Sequence, residues 1–188
     1  MVVTIAVFGI SGVGKSWLIS RFANTKDFAH LQASQLLRSA KSALEDKNIT
    51  AEDLRRRTVL DNQALLISSF KSFRSIENRN IIFDGHNLVD TGGVLIEIPV
   101  DVVEAINPAG IILVWADPAV IADHRQADAN RSRPVCSVAE LEKHQARSDV
   151  LARSHANYLR VPFHRVQSGD ENLFAFAVRS IVDGRFTE

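Results

Sequence analysis

The sequence has little of several features that would define other classes of protein. It contains one cysteine, so no disulfide can form within the chain, which is typical of a reducing compartment. Its 22 basic residues balance 22 acidic ones, which leaves no long-range attraction to nucleic acid or to an anionic membrane. The longest apolar run, Ala109–Ala116, is far shorter than the roughly 20 residues that span a bilayer. Because the apolar start also lacks a basic region and a cleavage pattern, we expect a soluble cytoplasmic protein.

The composition that is present is that of an ordinary globular protein. Of the 188 residues, 46% are hydrophobic and 23% are charged, so wholesale disorder is not expected. No repeat, low-complexity tract or linker divides the chain. Residues 1–188 are therefore expected to form one domain.

Short β-branched runs alternate with segments that carry helix-start patterns. Strands are predicted at Val2–Phe8, Phe28–Leu31, Ile81–Phe83, Ile111–Trp115 and Tyr158–Val166, the last confined to an edge or an end by Pro162. Helix starts are predicted at Ser34, at the capping boxes Thr50–Asp53 and Ser137–Glu140, at Asp117–Pro118 and at Glu171. The helix from Ser137 is expected to run to about Asn157. This alternation predicts an α/β fold with a parallel sheet covered on both faces.

The segment Gly9–Ser16 directly follows the first strand and matches the pattern G-x-x-x-x-G-K-[ST] of a phosphate-binding loop, or P-loop. Its glycines allow successive N–H groups to point into one concavity at a helix N-terminus, which favours phosphate. Lys15 supplies a charge for the β- and γ-phosphates, and the Ser16 hydroxyl can ligate Mg²⁺. The residues predicted to bind ATP are Gly9, Ser11, Gly12, Val13, Gly14, Lys15, Ser16 and Trp17.

Asp84 ends a predicted strand, where a parallel sheet delivers residues to its ligand edge. A carboxylate there can hold Mg²⁺, directly or through water, or orient an acceptor. It can equally be an ordinary turn aspartate before Gly85. His86 and Asn87 follow and are candidates for hydrogen bonds to the acceptor.

Three arginines lie in or next to a polar stretch between two predicted helices. Arg125, Arg131 and Arg133 suit a short lid, about residues 125–137, that closes over the transferring phosphoryl group and excludes water. The alternative is a solvated loop. Lys15, Asp84 and these arginines are the predicted catalytic residues. The histidines show no zinc-binding spacing, so no zinc site is predicted, and Cys136 is expected to be structural.

The chain resembles nucleoside monophosphate kinases, and more closely the archaeal-type adenylate kinases. Ser34–Arg38 and Asp84–Gly85 resemble segments of the wider family. Segments that resemble the archaeal type are Ile82–Asn87, Gly93–Pro99, Ile106–Pro108, Asn130–Arg133 and Glu142–Gln145. The sequence departs from the family at Ala33–Gln35, where those enzymes have threonine-glycine-aspartate.

The resemblance implies a three-layer α/β/α P-loop kinase fold with sheet order 2-3-1-4-5. It also implies Mg²⁺-ATP as phosphoryl donor and a monophosphate acceptor, AMP or a relative, between Arg38 and the Asp84–Pro99 region. The acceptor-binding residues are then Arg38, Gly85 and His86, and the monophosphate-binding region spans about residues 28–78. The family includes homotrimers, so a homo-oligomer is compatible with it. Because the sequence departs from the family at Ala33–Gln35, the alternative is a P-loop kinase that acts on another small acceptor. Since a P-loop alone does not define the reaction, a further alternative is a nucleotide-dependent switch.

Overall fold

A computed structural model describes residues 2–24, 27–45, 59–91, 93–128 and 135–184. The elements, in chain order, are β1 (Thr4–Phe8), α1 (Lys15–Ala23), β2 (Phe28–Gln32), α2 (Ala33–Glu45), α3 (Val59–Ile76), β3 (Asn80–Asp84), β4 (Leu88–Asp90), β5 (Leu95–Glu97), α4 (Val100–Ile106), β6 (Gly110–Trp115), α5 (Pro118–Ala127), α6 (Val138–Leu159), β7 (Phe163–Gln167) and α7 (Glu171–Asp183). The predicted capping box at Thr50–Asp53 lies outside the described residues, as do Arg131 and Arg133.

Five parallel strands form one sheet in the order β2-β3-β1-β6-β7. Taken in chain order, these five strands follow the predicted 2-3-1-4-5. The structure adds an antiparallel hairpin, β4–β5, which was not predicted and is not part of that sheet. In the central register Val7 of β1 lies opposite Asp84 of β3. The carboxyl ends of β1 and β3 therefore bring the P-loop and Asp84 to the same edge.

Helices cover both faces of the sheet, because alternate residues of each central strand point in opposite directions. Ile5 and Val7 join a core formed with α1 and α7, whereas Ala6 and Phe8 join a core formed with α4 and α6. A third cluster packs β2 and β3 against Phe70 of α3. The predicted three-layer α/β/α architecture is thus confirmed. Within the described ranges, each helix is too short or too polar to cross a bilayer.

Two helix starts have the capping chemistry predicted for them. The Asp117 carboxylate accepts a hydrogen bond from the amide of Ala119, with Pro118 at the first helical position. Ser137 and Glu140 form the reciprocal bonds of a capping box.

The predicted strand Tyr158–Val166 begins too early. Tyr158 and Leu159 belong to α6, which ends where Arg160 adopts a left-handed conformation with φ 55°. The strand β7 begins only after Pro162, which has no N–H to donate to a neighbouring strand. As Pro162 predicted, β7 is an edge strand.

Candidate active site

The P-loop leaves the N-terminal amides of α1 open to an anion. Gly14 precedes the helix with φ 95° and ψ 10°, and neither a side-chain cap nor an acidic residue in the first turn covers that end. The first N–H groups of a helix have no partner within it, and they carry a partial positive charge. A Cβ at position 14 would lie 2.5 Å from Ser168 Oγ, so the close approach of the two loops also requires glycine there. This end of α1 can therefore hold phosphate oxygens.

Lys15 lies at the bottom of the loop with only 4% of its surface exposed. Its Nζ donates to the carbonyl oxygen of Gly9 at 2.9 Å, and Nδ1 of His86 lies 2.7 Å from the same oxygen. Because a carbonyl only accepts, Nδ1 carries the proton and donates it to Gly9. Lys15 Nζ and His86 Nδ1 lie 3.2 Å apart because both donate to the same carbonyl oxygen. His86, predicted to bind the acceptor, lies beside the P-loop lysine.

Asp84 is the buried carboxylate of the site. Its Oδ2 accepts a hydrogen bond from Ser16 Oγ at 2.6 Å and lies 3.1 Å from Nε2 of His30. Burial raises the pKa of Asp84, but the His30 hydrogen bond, the charge of Lys15 and the Ser16 hydrogen bond together hold that pKa below its ordinary value. Asp84 is therefore ionised at neutral pH.

These groups fit a hard divalent cation. Mg²⁺ prefers oxygen ligands, and Ser16 and Asp84 present a hydroxyl oxygen and a carboxylate oxygen 2.6 Å apart. Both would lie in or next to the coordination sphere of a cation beside the P-loop. When bound with ATP, Mg²⁺ neutralises part of the charge on the phosphates. The protein's own contribution is to keep Asp84 ionised and Ser16 oriented.

A cleft of about 980 Å³ opens over this group. Its lining includes several predicted residues: Ser11, Gly12, Gly14, Lys15, Ser16, Trp17, Asp84 and His86. On one side the cleft reaches the start of α2 at Gln32–Ser34. On another it reaches α5 and the loop after β7, at Val120, His124 and Ser168. The P-loop thus faces one continuous hollow large enough for a nucleotide and more.

Arg125 is placed against the P-loop. Its Nε donates to the carbonyl oxygen of Ser11 at 2.9 Å, and a Cβ on Gly12 would lie 2.7 Å from its Cγ. Its Nη1 is buried and has no hydrogen-bond partner in the part of the chain that the structure describes. A buried guanidinium N–H that lacks a partner is costly. Arg125 is not among the residues that line the cleft, so its contact with the transferring group stays a prediction.

Other predicted residues are not brought to the centre of the site. Arg38 is exposed on α2, one turn beyond Ser34, which lines the cleft; its role stays a prediction. Gly85 donates its amide to Val7 at the end of β3. Asn87, a candidate for hydrogen bonds to the acceptor, has its side-chain amide bonded to Ser148: Nδ2 donates to the Ser148 carbonyl at 2.7 Å, and Oδ1 accepts from Ser148 Oγ at 2.6 Å. Asn87 instead ties the loop after β3 to α6.

Sequence reasoning missed two histidines of the site. His30 reaches Asp84 from β2, and Nδ1 of His124 lies 3.2 Å from the carbonyl oxygen of Gly12. A clue to His30 existed: it is a polar residue within the predicted strand Phe28–Leu31. In the observed strand β2, Gln32 lies two residues farther on and shares its face. His124 directly precedes Arg125, and nothing in its local sequence distinguishes it.

The chain is similar to several known proteins. A family model described as an AAA domain matches residues 8–142. Adenylate kinase of Pyrococcus horikoshii is 26% identical over 184 residues, covering 95% of this chain and 92% of that enzyme. Adenylate kinase of Methanothermobacter thermautotrophicus is 28% identical over 155 residues, covering 81% of this chain and 83% of that enzyme.

Two solved structures share the fold. A gluconokinase from Sinorhizobium meliloti 1021 has a TM-score of 0.57 at 13% identity, covering 99% of this chain and 97% of that chain. A shikimate kinase from Bacteroides thetaiotaomicron has a TM-score of 0.54 at 13% identity, covering 96% and 98%. At such identity the likeness shows the fold alone.

The fold, the P-loop and these relatives define a phosphotransferase of the P-loop kinase class, similar to archaeal adenylate kinases. The chain belongs to the AAA domain family.

Proposed function

We propose that this protein transfers the γ-phosphoryl group of Mg²⁺-ATP to a nucleoside monophosphate, AMP or a close relative, in the cytoplasm. The observation that carries the proposal is the single cleft that joins the P-loop and Asp84 to the start of α2. A phosphoryl donor and an acceptor can therefore face each other across Lys15. The archaeal adenylate kinases that match 95% and 81% of the chain support this choice of acceptor.

Different residues have different roles in such a transfer. The amides of the P-loop and Lys15 hold the β- and γ-phosphates, and their charge favours the transition state without any covalent step. Ser16 and Asp84 would hold the cation. Arg125 keeps the P-loop turn in place through Ser11 and has a buried donor left for the nucleotide. Arg131 and Arg133 are proposed to complete the lid.

The acceptor side of the cleft supports a role for Arg38. Ser34 lines the cleft at the start of α2, and residues four apart lie on the same face of a helix. Arg38 is thus one turn farther along the face that meets the cleft. An exposed arginine at its rim is suited to draw in a phosphate and to lose its exposure when the acceptor binds.

A second candidate keeps the fold and the donor but changes the acceptor to another small hydroxyl or phosphate compound. Ala33–Gln35 favours it, since Ala33 and Ser34 line the cleft where the resembling enzymes have threonine-glycine-aspartate. These side chains offer no carboxylate to the acceptor side.

An acceptor panel tests the proposal. The full chain is incubated with Mg²⁺-ATP and each nucleoside monophosphate or a set of small hydroxyl acids, and ADP is measured. We expect AMP or dAMP to raise ADP formation well above the acceptor-free rate. The Lys15→Ala variant should lose at least about 10²-fold in turnover, because it removes one preorganised donor to the transferring group. Exposed Lys143 of α6 provides a matched control, and Lys143→Ala should match the wild type.

The other outcomes identify the alternatives. If only a hydroxyl compound or a non-nucleotide phosphate stimulates ADP formation, the second candidate replaces the first. ATP hydrolysis that no acceptor stimulates would instead overturn both and leave a nucleotide-dependent switch.

A further inference from the structure

The side chains of Asp90, Cys136 and His144 lie close together in the folded chain, and none of them belongs to the P-loop. Asp90 ends β4, Cys136 directly precedes the capping residue of α6, and His144 lies about two turns into that helix. Their ligand atoms all lie within 4.8 Å of one another, and each residue is partly buried. Cys136 Sγ donates a hydrogen bond to Asp90 Oδ2 at 3.5 Å. Among the described residues this is the one such group of three or more histidine, cysteine and acidic side chains.

The spacing of this group suits a tetrahedral metal ion. Zn²⁺ takes sulfur at about 2.3 Å and nitrogen or oxygen at about 2.0–2.2 Å, which separates tetrahedral ligand atoms by roughly 3.3–3.6 Å. The distance of 3.5 Å between Cys136 Sγ and Asp90 Oδ2 already lies within this range. Because the ligand atoms lie within 4.8 Å of one another, the His144 nitrogen would have to close by about 1.5 Å at most, which rotation of the imidazole provides.

The donor types select the kind of metal. One thiolate, one imidazole and one carboxylate are ligands for Zn²⁺ or Co²⁺, whereas Mg²⁺ and Ca²⁺ require a sphere of oxygens that this group lacks. A bound thiolate and carboxylate would balance the two charges of the ion. Arg125 hydrogen bonds to Cys136, and its positive charge acts on both Asp90 and Cys136. It favours the thiolate and carboxylate forms but also repels a cation, whereas the charge of Glu140 near His144 attracts one.

We propose that Asp90, Cys136 and His144 bind a Zn²⁺-type transition-metal ion that joins the β4–β5 hairpin to the start of α6. The fourth coordination position is left to water. No zinc site was predicted because the histidines show no local zinc-binding spacing. This does not oppose the proposal, since Asp90 joins the group from a segment distant from Cys136 and His144.

Cobalt provides the first test. The metal-free full chain, with its thiol reduced, is titrated with Co²⁺, and thiolate-to-cobalt charge-transfer absorption is recorded in the near ultraviolet. We expect a band that Zn²⁺ removes and Mg²⁺ does not. Cys136→Ser should abolish it, and Asp90→Asn or His144→Ala should weaken Co²⁺ binding by at least about tenfold. His164→Ala, which changes a histidine of β7 outside the group, should leave the titration unchanged.

The second test needs no variant. Cys136 is the single cysteine of the chain, so the rate of alkylation by a thiol reagent reports on it alone. We expect Zn²⁺, but not Mg²⁺, to slow alkylation of the wild type at least tenfold. Absence of both the band and the protection would overturn the site. A band of unchanged affinity in both Asp90→Asn and His144→Ala would also overturn it, because it would report a thiolate acting alone.

Discussion

Asp84 shows how single residues set the chemistry of the cleft. A buried carboxylate loses hydration, which costs several kcal/mol unless other groups replace the water. Here Ser16 donates at 2.6 Å, His30 approaches at 3.1 Å, and the buried Lys15 contributes an opposite charge. The His30 ring is in turn oriented by Ser20, whose Oγ lies 3.3 Å from Nδ1. His30 is therefore a positioning residue that favours the ionised form of Asp84.

Replacing His30 should change the pH profile of the enzyme. The His30 hydrogen bond lowers the pKa of Asp84, so His30→Ala should raise that pKa. Since ionised Asp84 is the active form, the acid limb of kcat/KM should move to higher pH, with activity lost at a pH where the wild type still works. The measurement is the initial rate of ADP formation across pH with the acceptor that gives the highest rate in the acceptor panel.

A graded variant provides the control. Ser20→Ala leaves His30 in place but removes the contact that orients its ring, together with the hydrogen bond from Ser20 Oγ to the carbonyl oxygen of Ser16 at 2.7 Å. It should therefore move the acid limb in the same direction by less. A His30→Ala profile that falls in rate at every pH, without movement of the limb, would contradict this role and indicate a purely structural one.

The helix α6 is the element that holds the edge of the sheet in place. Gln145 donates to the carbonyl oxygen of Ala116 at 2.8 Å and accepts from its amide at 3.0 Å, which fixes the chain where β6 ends. Ser148 holds Asn87 after β3. Because the two loops that border the cleft depend on one helix, its start is expected to matter for stability.

Removing the cap of α6 should therefore destabilise the fold. Ser137 accepts from the amide of Glu140 at 3.2 Å, and Glu140 accepts from the amide of Ser137 at 2.7 Å. Ser137→Ala should lower the free energy of unfolding by about 1 kcal/mol, measured by urea denaturation. Ser154→Ala, an exposed serine inside the same helix, should change it by less than about 0.5 kcal/mol. Equal losses in the two variants would contradict the role of the cap.

At the scale of the whole molecule, buried histidines make stability depend on pH. His155 is 3% exposed within α6, and burial lowers its pKa, although the charge of Glu97 opposes the shift. Burial also lowers the pKa of His164 in β7. In the unfolded chain a histidine has a pKa of about 6.5. Below that pH the unfolded chain binds protons at these histidines, whereas the folded chain, with its lower pKa values, does not yet bind them. This contribution to stability is complete above that pH and is lost as the pH falls from there toward the folded pKa values.

His155→Leu should remove part of this dependence. The variant also removes a buried Nδ1 that has no hydrogen-bond partner among the described residues. The free energy of unfolding of the variant, relative to the wild type, should therefore rise as the pH is lowered from 8 through about 6.5. Urea denaturation at several pH values measures this difference. A difference that stays constant with pH would show that His155 titrates alike in both states.

Features that depend only on residues close together in the chain could be predicted from the sequence. The P-loop, the caps at Asp117 and Ser137, and the central strands follow from local conformational preference and from burial on both faces of a parallel sheet. The boundary between α6 and β7 could not, because the strand-like composition from Tyr158 onward predicts a strand where the helix continues to Leu159, two residues beyond its expected end.

Features that join distant segments required the folded chain. His30 meets Asp84 only because β2 pairs with β3 in a register that sets His30 opposite Ile82. Asn87 was expected at the acceptor, yet packing of α6 against the loop after β3 directs it to Ser148. Asp90, Cys136 and His144 likewise come together through the hairpin and the start of α6. Local sequence was enough for the phosphate-binding loop, whose motif spans eight consecutive residues, Gly9–Ser16. The partners of Asp84 and of Cys136 instead follow from strand register and helix packing.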